Sequence, residues 1–182
     1  MKKGLVIAVS GQVGAGKTTY AKKLAETFGL RYASSGGLFR KLAEDLGVSL
    51  IKLHEMAETD PKYDLMVDER ARKLAEEGNI VIEGHLAAWV LQDIADILIL
   101  LKAPLEVRAK RLAERDGKTV DKALEEIKLR EESNRRRCLK YYGKNMDDWT
   151  IFDIIIDTSK LDINQIFNVL KTFVEAYISK QR

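Results

Sequence analysis

The chain has 182 residues, 46% of them apolar and 32% charged, with 31 Lys+Arg against 28 Asp+Glu for a net charge of +3. That apolar fraction supports a packed core and excludes wholesale disorder, and the near balance of charge argues against a dedicated nucleic-acid binder, which needs a large basic surplus. The single cysteine, Cys138, excludes a disulfide framework and fits a reducing cytoplasm.

In chain order, the start Met1-Lys2-Lys3 followed by the apolar Gly4–Val9 has the outline of a signal peptide, but the stretch is too short and runs straight into a glycine loop. Gly4–Ser10 instead reads as a strand buried on both faces. Gly11–Gly16 is a loop, and Lys17–Phe28 has helical spacing closed by Gly29. Arg31–Ala33 is a short second strand, followed by helices near Gly37–Leu46 and Ser49–Ala57. Pro61 opens a helix that reaches about Glu77 and stops at Gly78. Asn79–Glu83 and Ala95–Lys102 are further strands; the second contains the apolar run Ile97–Leu101, of strand length, and no apolar run approaches the roughly 18–20 residues of a membrane span. Pro104 starts another helix, Thr119–Tyr142 is a long polar one, Ile151–Asp157 is the last strand and Ile163–Ser179 the last helix. Five apolar strands separated by helices predict right-handed βαβ units in one α/β domain, with a parallel sheet covered on both faces.

Gly11-Gln12-Val13-Gly14-Ala15-Gly16-Lys17-Thr18 matches the phosphate-loop pattern G-x-x-x-x-G-K-S/T in full. The glycines let successive N–H groups turn inward around an anion, and the helix that follows adds its positive end. Lys17 is the cation for the β- and γ-phosphates, and Thr18 offers a hydroxyl to Mg²⁺. ATP binding follows from this. The length leaves no room for a helicase or transporter ATPase, and Lys144-Asn145-Met146-Asp147 scrambles the N-K-x-D of a switch GTPase without matching it. A small-molecule kinase therefore leads.

The acceptor is argued from what is missing. A hydroxyl acceptor needs a carboxylate base, which in small α/β kinases tends to follow the second strand. Here that strand runs into Ala33-Ser34-Ser35-Gly36-Gly37 without an acid. A phosphate acceptor needs no base but does need cations, and Arg40 is placed to clamp a monophosphate. The basic surplus is also local: Lys102–Lys144 holds 14 Lys+Arg and 8 Asp+Glu, net +6, leaving −3 for the remainder. Arg108, Arg111, Arg115, Arg130, Arg135, Arg136 and Arg137 lie within it, some in helical pairs such as Glu126–Arg130 and Glu132–Arg136. Beside a phosphate loop, this segment reads as a lid that excludes water and brings arginines to the transferring phosphoryl group.

Four segments together resemble the nucleoside monophosphate kinases, most closely the archaeal-type cytidylate kinases: Ser10–Thr19, Ser35–Arg40, Asn79–Trp89, and the set formed by Ala103–Arg111, Lys128–Arg137 and Tyr142–Asp157. The resemblance runs nearly end to end. It implies a P-loop kinase fold with a five-stranded parallel sheet and a helical lid. Acceptor-binding helices would lie at about 35–77 and the lid at about 104–142. It also implies Mg²⁺-dependent transfer of the γ-phosphate of ATP to CMP or dCMP by a monomer of pyrimidine nucleotide metabolism, with no nucleic-acid or membrane partner. Carried over by position, Gly11 to Thr19, including Gln12, Val13, Ala15 and Thr18, hold the donor phosphates, and Arg111 and Arg115 meet the donor nucleotide. Lys17, Arg130 and Arg137 are catalytic, the two arginines closing the lid. Ser35 holds the nucleoside, Arg40 the acceptor phosphate, and Glu83 reaches the metal through water.

His85 stands where bacterial relatives have an arginine, which predicts monophosphate binding that weakens as pH rises. The bacterial insert for the base is absent, so base recognition falls to Gly47–Asp68, with Asp64 and Asp68 as acceptors for a cytosine amino group; His54 is read as structural. Adenylate kinase shares the loop, the serine-glycine-arginine turn and the lid. A shikimate-type hydroxyl kinase lacks support, because the acids after strand two and a glycine triplet after strand three are missing. A regulatory ATP-binding module would not need arginines on both sides of the transferred phosphate.

Overall fold

The computed structural model describes residues 4–181, so the Met1-Lys2-Lys3 start lies outside the described residues. The elements are β1 (Val6–Gly11), α1 (Lys17–Phe28), β2 (Arg31–Ser34), α2 (Ser35–Asp45), α3 (Leu50–Thr59), α4 (Lys62–Glu77), β3 (Ile80–Glu83), α5 (Ala87–Leu91), β4 (Ile97–Lys102), α6 (Leu105–Asp116), α7 (Val120–Tyr142), β5 (Ile154–Asp157) and α8 (Ile163–Gln181). All five strands are parallel, in the order β2-β3-β1-β4-β5.

The predicted elements are all present, with β1 and β5 starting later than their apolar runs, at Val6 and Ile154. One helix, α5, was not foreseen. All five of its residues, Ala87 to Leu91, are buried, so it carries no amphipathic period to be read.

Helices cover both faces of the sheet, which is why β1 is a continuous buried run. Ile7 and Val9 face α1 and α8 in one core, with Leu24, Ile99 and Leu170. Val6 and Ala8 face the other way, toward α4, α5 and the end of α7, in a core with Ala71, Trp89 and Cys138. A third core joins α6 to α7, and a fourth joins α2, α3 and α4. The register sets Ser34 opposite Glu83, Glu83 opposite Val9, and Gly11 opposite Leu101. The C-terminal ends of the strands therefore form one edge, where a doubly covered parallel sheet offers its binding crevice.

Candidate active site

The phosphate loop leaves β1 at this edge and enters α1. Gly14 (φ 80°) and Gly16 (φ 90°) occupy the left-handed region that the tight turn requires. Lys17 folds along the loop, its Nζ donating to the carbonyls of Gly11 and Gln12 at 3.0 Å each. Burial, reinforced by Arg130 and Arg108 and opposed by Glu83 and Glu131, pushes its pKa down to about 8.

Glu83 ends β3 as a buried carboxylate. Thr18 Oγ1 donates to its Oε1 at 2.9 Å, and Tyr32 Oη to the same atom at 3.1 Å. Among the described residues it makes no ion pair, so a buried negative charge faces the loop with only hydroxyl partners. Gly84 and His85 follow. A Cβ at Gly84 would lie 2.1 Å from Ser35 Oγ, which places the start of α2 directly against the end of β3. Ser34, one residue earlier, caps α2 by accepting from the Gly37 N–H.

His85 sits between two cations. Its Nε2 lies 3.2 Å from Arg130 Nη2, and its Nδ1 lies 3.2 Å from the Gly11 carbonyl and 3.3 Å from Lys17 Nζ. A guanidinium and an ammonium only donate, so each ring nitrogen faces a donor, and Nδ1 also faces the Gly11 carbonyl as an acceptor. Burial first, then Lys17 and Arg130, holds His85 well below the usual histidine range. The ring's change of charge therefore falls below neutral pH, and any weakening of monophosphate binding with rising pH belongs to that acidic range.

Two clefts meet here. The first, about 790 Å³, is lined by the phosphate loop, Lys17, Thr18, Glu83, Arg111 and Arg115. The second, about 570 Å³, is lined by Phe39, His54, Asp64, Asp68, Asn134 and Arg137. Ser35, Gly36, Arg40, His85 and Arg130 line both. Arg40 is exposed and makes no ion pair among the described residues.

The structure brings Lys17, Thr18, Thr19, Glu83, His85, Arg111, Arg115 and Arg130 to one cleft. Arg111 lines it with its terminal nitrogens committed to Thr158, at 2.9 Å to Oγ1 and 2.7 Å to the carbonyl. Arg115 forks onto Asp116 at 2.6 Å and 3.0 Å. Arg137 is not among the residues that line the phosphate-loop cleft. It lies in the second cleft, paired with Asp64 at 3.0 Å, and its buried Nε has no hydrogen-bond partner among the described residues. Asp64 and Asp68 do face one cleft. Burial raises Asp64 above the ordinary carboxylate range, against Arg137 and His54. It raises Asp68 to about 7, and the Tyr142 hydroxyl donates to Asp68 Oδ2. His54 is corrected from a structural residue: it is exposed, stacks on Phe39 with centroids 4.7 Å apart and lines the second cleft. Arg108 is no lid-surface cation but is buried, bound to the Ala103 and Val13 carbonyls and to Glu131. Sequence reasoning gave no role to Tyr32, Phe39, Asn134 and Glu131, although Phe39 lies within the segment Ser35–Arg40 and the last two within Lys128–Arg137. Tyr32 left its signal in the strand face it shares with Ser34 two residues on.

The sequence profile of the cytidylate kinase-like family matches residues 6–160. This chain belongs to that family. A cytidylate kinase of Staphylothermus marinus is 44% identical over 176 residues, covering 97% of this chain and 99% of its own. One of Pyrobaculum aerophilum is 49% identical over 165 residues, covering 91% and 90%. Among solved structures, an uncharacterized protein from Eubacterium ventriosum superposes with a TM-score of 0.73 at 22% identity, covering 94% of this chain and 98% of its own. A shikimate kinase from Bacteroides thetaiotaomicron gives 0.64 at 17%, with the same coverage. At these identities the structures establish the shared P-loop kinase fold and nothing about the acceptor.

Proposed function

We propose that this protein transfers the γ-phosphate of ATP to CMP or dCMP, giving ADP and CDP or dCDP. The observation that carries the reading is the shared wall of the two clefts: the residues common to both include Arg40, His85 and Arg130, so the cleft of the phosphate loop opens onto a second cleft at a cationic junction. A donor phosphate in the first and an acceptor phosphate in the second would meet there. The relatives' printed name, cytidylate kinase, supports the choice of acceptor over AMP.

In this reading the loop N–H groups and Lys17 hold the β- and γ-phosphates, and Lys17 turns from its carbonyls to follow the transferred group. Arg40 clamps the acceptor phosphate, and Arg130 bridges donor and acceptor as negative charge shifts. No carboxylate takes a proton, because the attacking phosphate oxygen is already ionised. His85 donates from one nitrogen and accepts at the other, adding no charge. At the far end of the second cleft, Asp64 is the acceptor for the cytosine amino group, with Arg137 held beside it. Arg137's part in lid closure therefore lies on the acceptor side. Thr18 and Glu83 suit Mg²⁺: their oxygens lie 2.9 Å apart, and among the described residues Glu83 makes no direct ion pair. Among the described residues no cluster of three potential ligands exists, as expected for an ion held mainly by phosphates and water. When bound, Mg²⁺ neutralises charge on the β- and γ-phosphates. We read the chain as one cytoplasmic, monomeric catalytic domain with acceptor helices at about 35–77 and a lid at about 104–142. Among the described residues no helix is long and apolar enough to cross a membrane.

The direct test is product stoichiometry. Incubation with ATP, Mg²⁺ and CMP should yield one CDP for each ADP, with neither formed in excess EDTA. ADP without CDP would reduce the protein to an ATPase.

A further inference from the structure

We propose that Glu131 is a positioning residue: it grips the phosphate loop at Val13 and so holds its neighbour Arg130 over the junction of the two clefts. The proposal rests on the phosphotransfer reading above.

Val13 is the one β-branched residue between Gly11 and Gly16. It is buried in the core between α6 and α7, among Ala109, Leu112, Ala123 and Ile127. Its backbone is held by the same two helices. The Val13 N–H donates to Glu131 Oε1 at 3.3 Å, and the Val13 carbonyl accepts from Arg108 Nη1 at 3.1 Å. Arg108 Nη1 also donates to Glu131 Oε1 at 2.7 Å, closing a ring of three contacts around one residue of the loop. Arg108 Nε is fixed on the Ala103 carbonyl at 2.8 Å. The next loop residue lies flat against α6, since a Cβ at Gly14 would fall 2.8 Å from the Arg108 carbonyl.

The Arg108 and Glu131 side chains are 5% and 16% exposed, so this is no screened surface pair. A buried pair of this kind fixes geometry more than it adds stability. The carboxylate is required because an amide would leave the buried Arg108 guanidinium without a counter-charge. Consecutive helical residues project about 100° apart. With Glu131 locked onto the loop, Arg130 is turned toward the junction, where it pairs with Glu126 at 3.0 Å and meets His85 at 3.2 Å. Glu131 is absent from the linings of both clefts, so it acts through Arg130, with the loop as its anchor.

A double-mutant cycle tests this. Glu131→Gln should lower kcat about tenfold or more while the KM for CMP stays within about twofold, because Arg130 is misplaced but the acceptor contacts remain. Arg130→Ala should cost at least as much, and the double variant should be no worse than Arg130→Ala alone. Losses that multiply, or a Glu131→Gln protein with a lowered Tm and unchanged kcat, would overturn the proposal. Should Glu131→Gln fold poorly, Glu131→Asp goes through the same cycle, with an intermediate kcat expected and multiplying losses again decisive. A readout without turnover is amide exchange across residues 130–134. A non-hydrolysable ATP analogue with Mg²⁺ should slow exchange in the wild type and leave it unchanged in the Glu131 variant. Equal slowing in both, or none in the wild type, contradicts the link. A wild type that shows the slowing yet phosphorylates no monophosphate would instead sink the acceptor reading and leave the link standing.

Discussion

Asp68 shows how burial sets the charge of a single residue. Its folded pKa, about 7, lies above the ordinary 3.8, so the folded protein binds the proton more tightly than the unfolded chain. Stability from this group is therefore fullest below pH 4 and is lost as pH rises toward 7, up to roughly 4 kcal/mol. Asp68→Asn keeps an acceptor for Tyr142 and removes the ionisation. Its Tm should exceed wild type at pH 8 and match it at pH 4; an equal gain at both would show that charge is not the cause. Arg40 gives the second residue-scale expectation. Arg40→Ala should raise the KM for CMP on the order of tenfold and the KM for ATP less than about twofold, and equal effects would remove its proposed role. Lys17, Thr18 and Arg40 were legible because a fixed local pattern surrounds each. The place of His85 between Lys17 and Arg130 was not, because those residues stand 68 and 45 positions away in sequence.

Among the elements, β-branched runs and glycine stops marked out strands and helices, while the uniformly buried α5 offered no period. The two arginines of α7 show what spacing leaves open. Arg130 and Arg137 share a helix face, yet seven residues are about 10 Å of rise, so one reaches the junction and the other stands beside Asp64. Their common face was readable, and their separate clefts were not. The contact between β3 and α2 is equally tight. Gly84→Ala would set a methyl group 2.1 Å from Ser35 Oγ and push the start of α2 away from His85. Overpacking of this kind costs on the order of 1–3 kcal/mol. The expected outcome is a lower Tm with kcat/KM for CMP reduced more than KM for ATP is raised; wild-type kinetics would mean that the junction tolerates the shift.

Across the whole molecule, a net charge of +3 conceals a body at −3 and the segment Lys102–Lys144 at +6. That imbalance was visible by counting, and the segment holds α6 and α7, whose Arg111, Arg115 and Arg130 line the phosphate-loop cleft. Counting did not reveal that part of the surplus is internal, with Arg108 buried against Glu131 and Arg111 tied to Thr158. Nor did it reveal that the second cleft is walled by Phe39, His54 and Asp64 from three successive helices. The central claim is transfer to a cytidine monophosphate at the junction of the two clefts. Its most direct test is the rate of ADP release with ATP, Mg²⁺ and each of CMP, dCMP, UMP, AMP and GMP in turn. The account predicts fastest turnover with CMP or dCMP, whereas fastest turnover with AMP, or ADP release independent of any monophosphate, would contradict it.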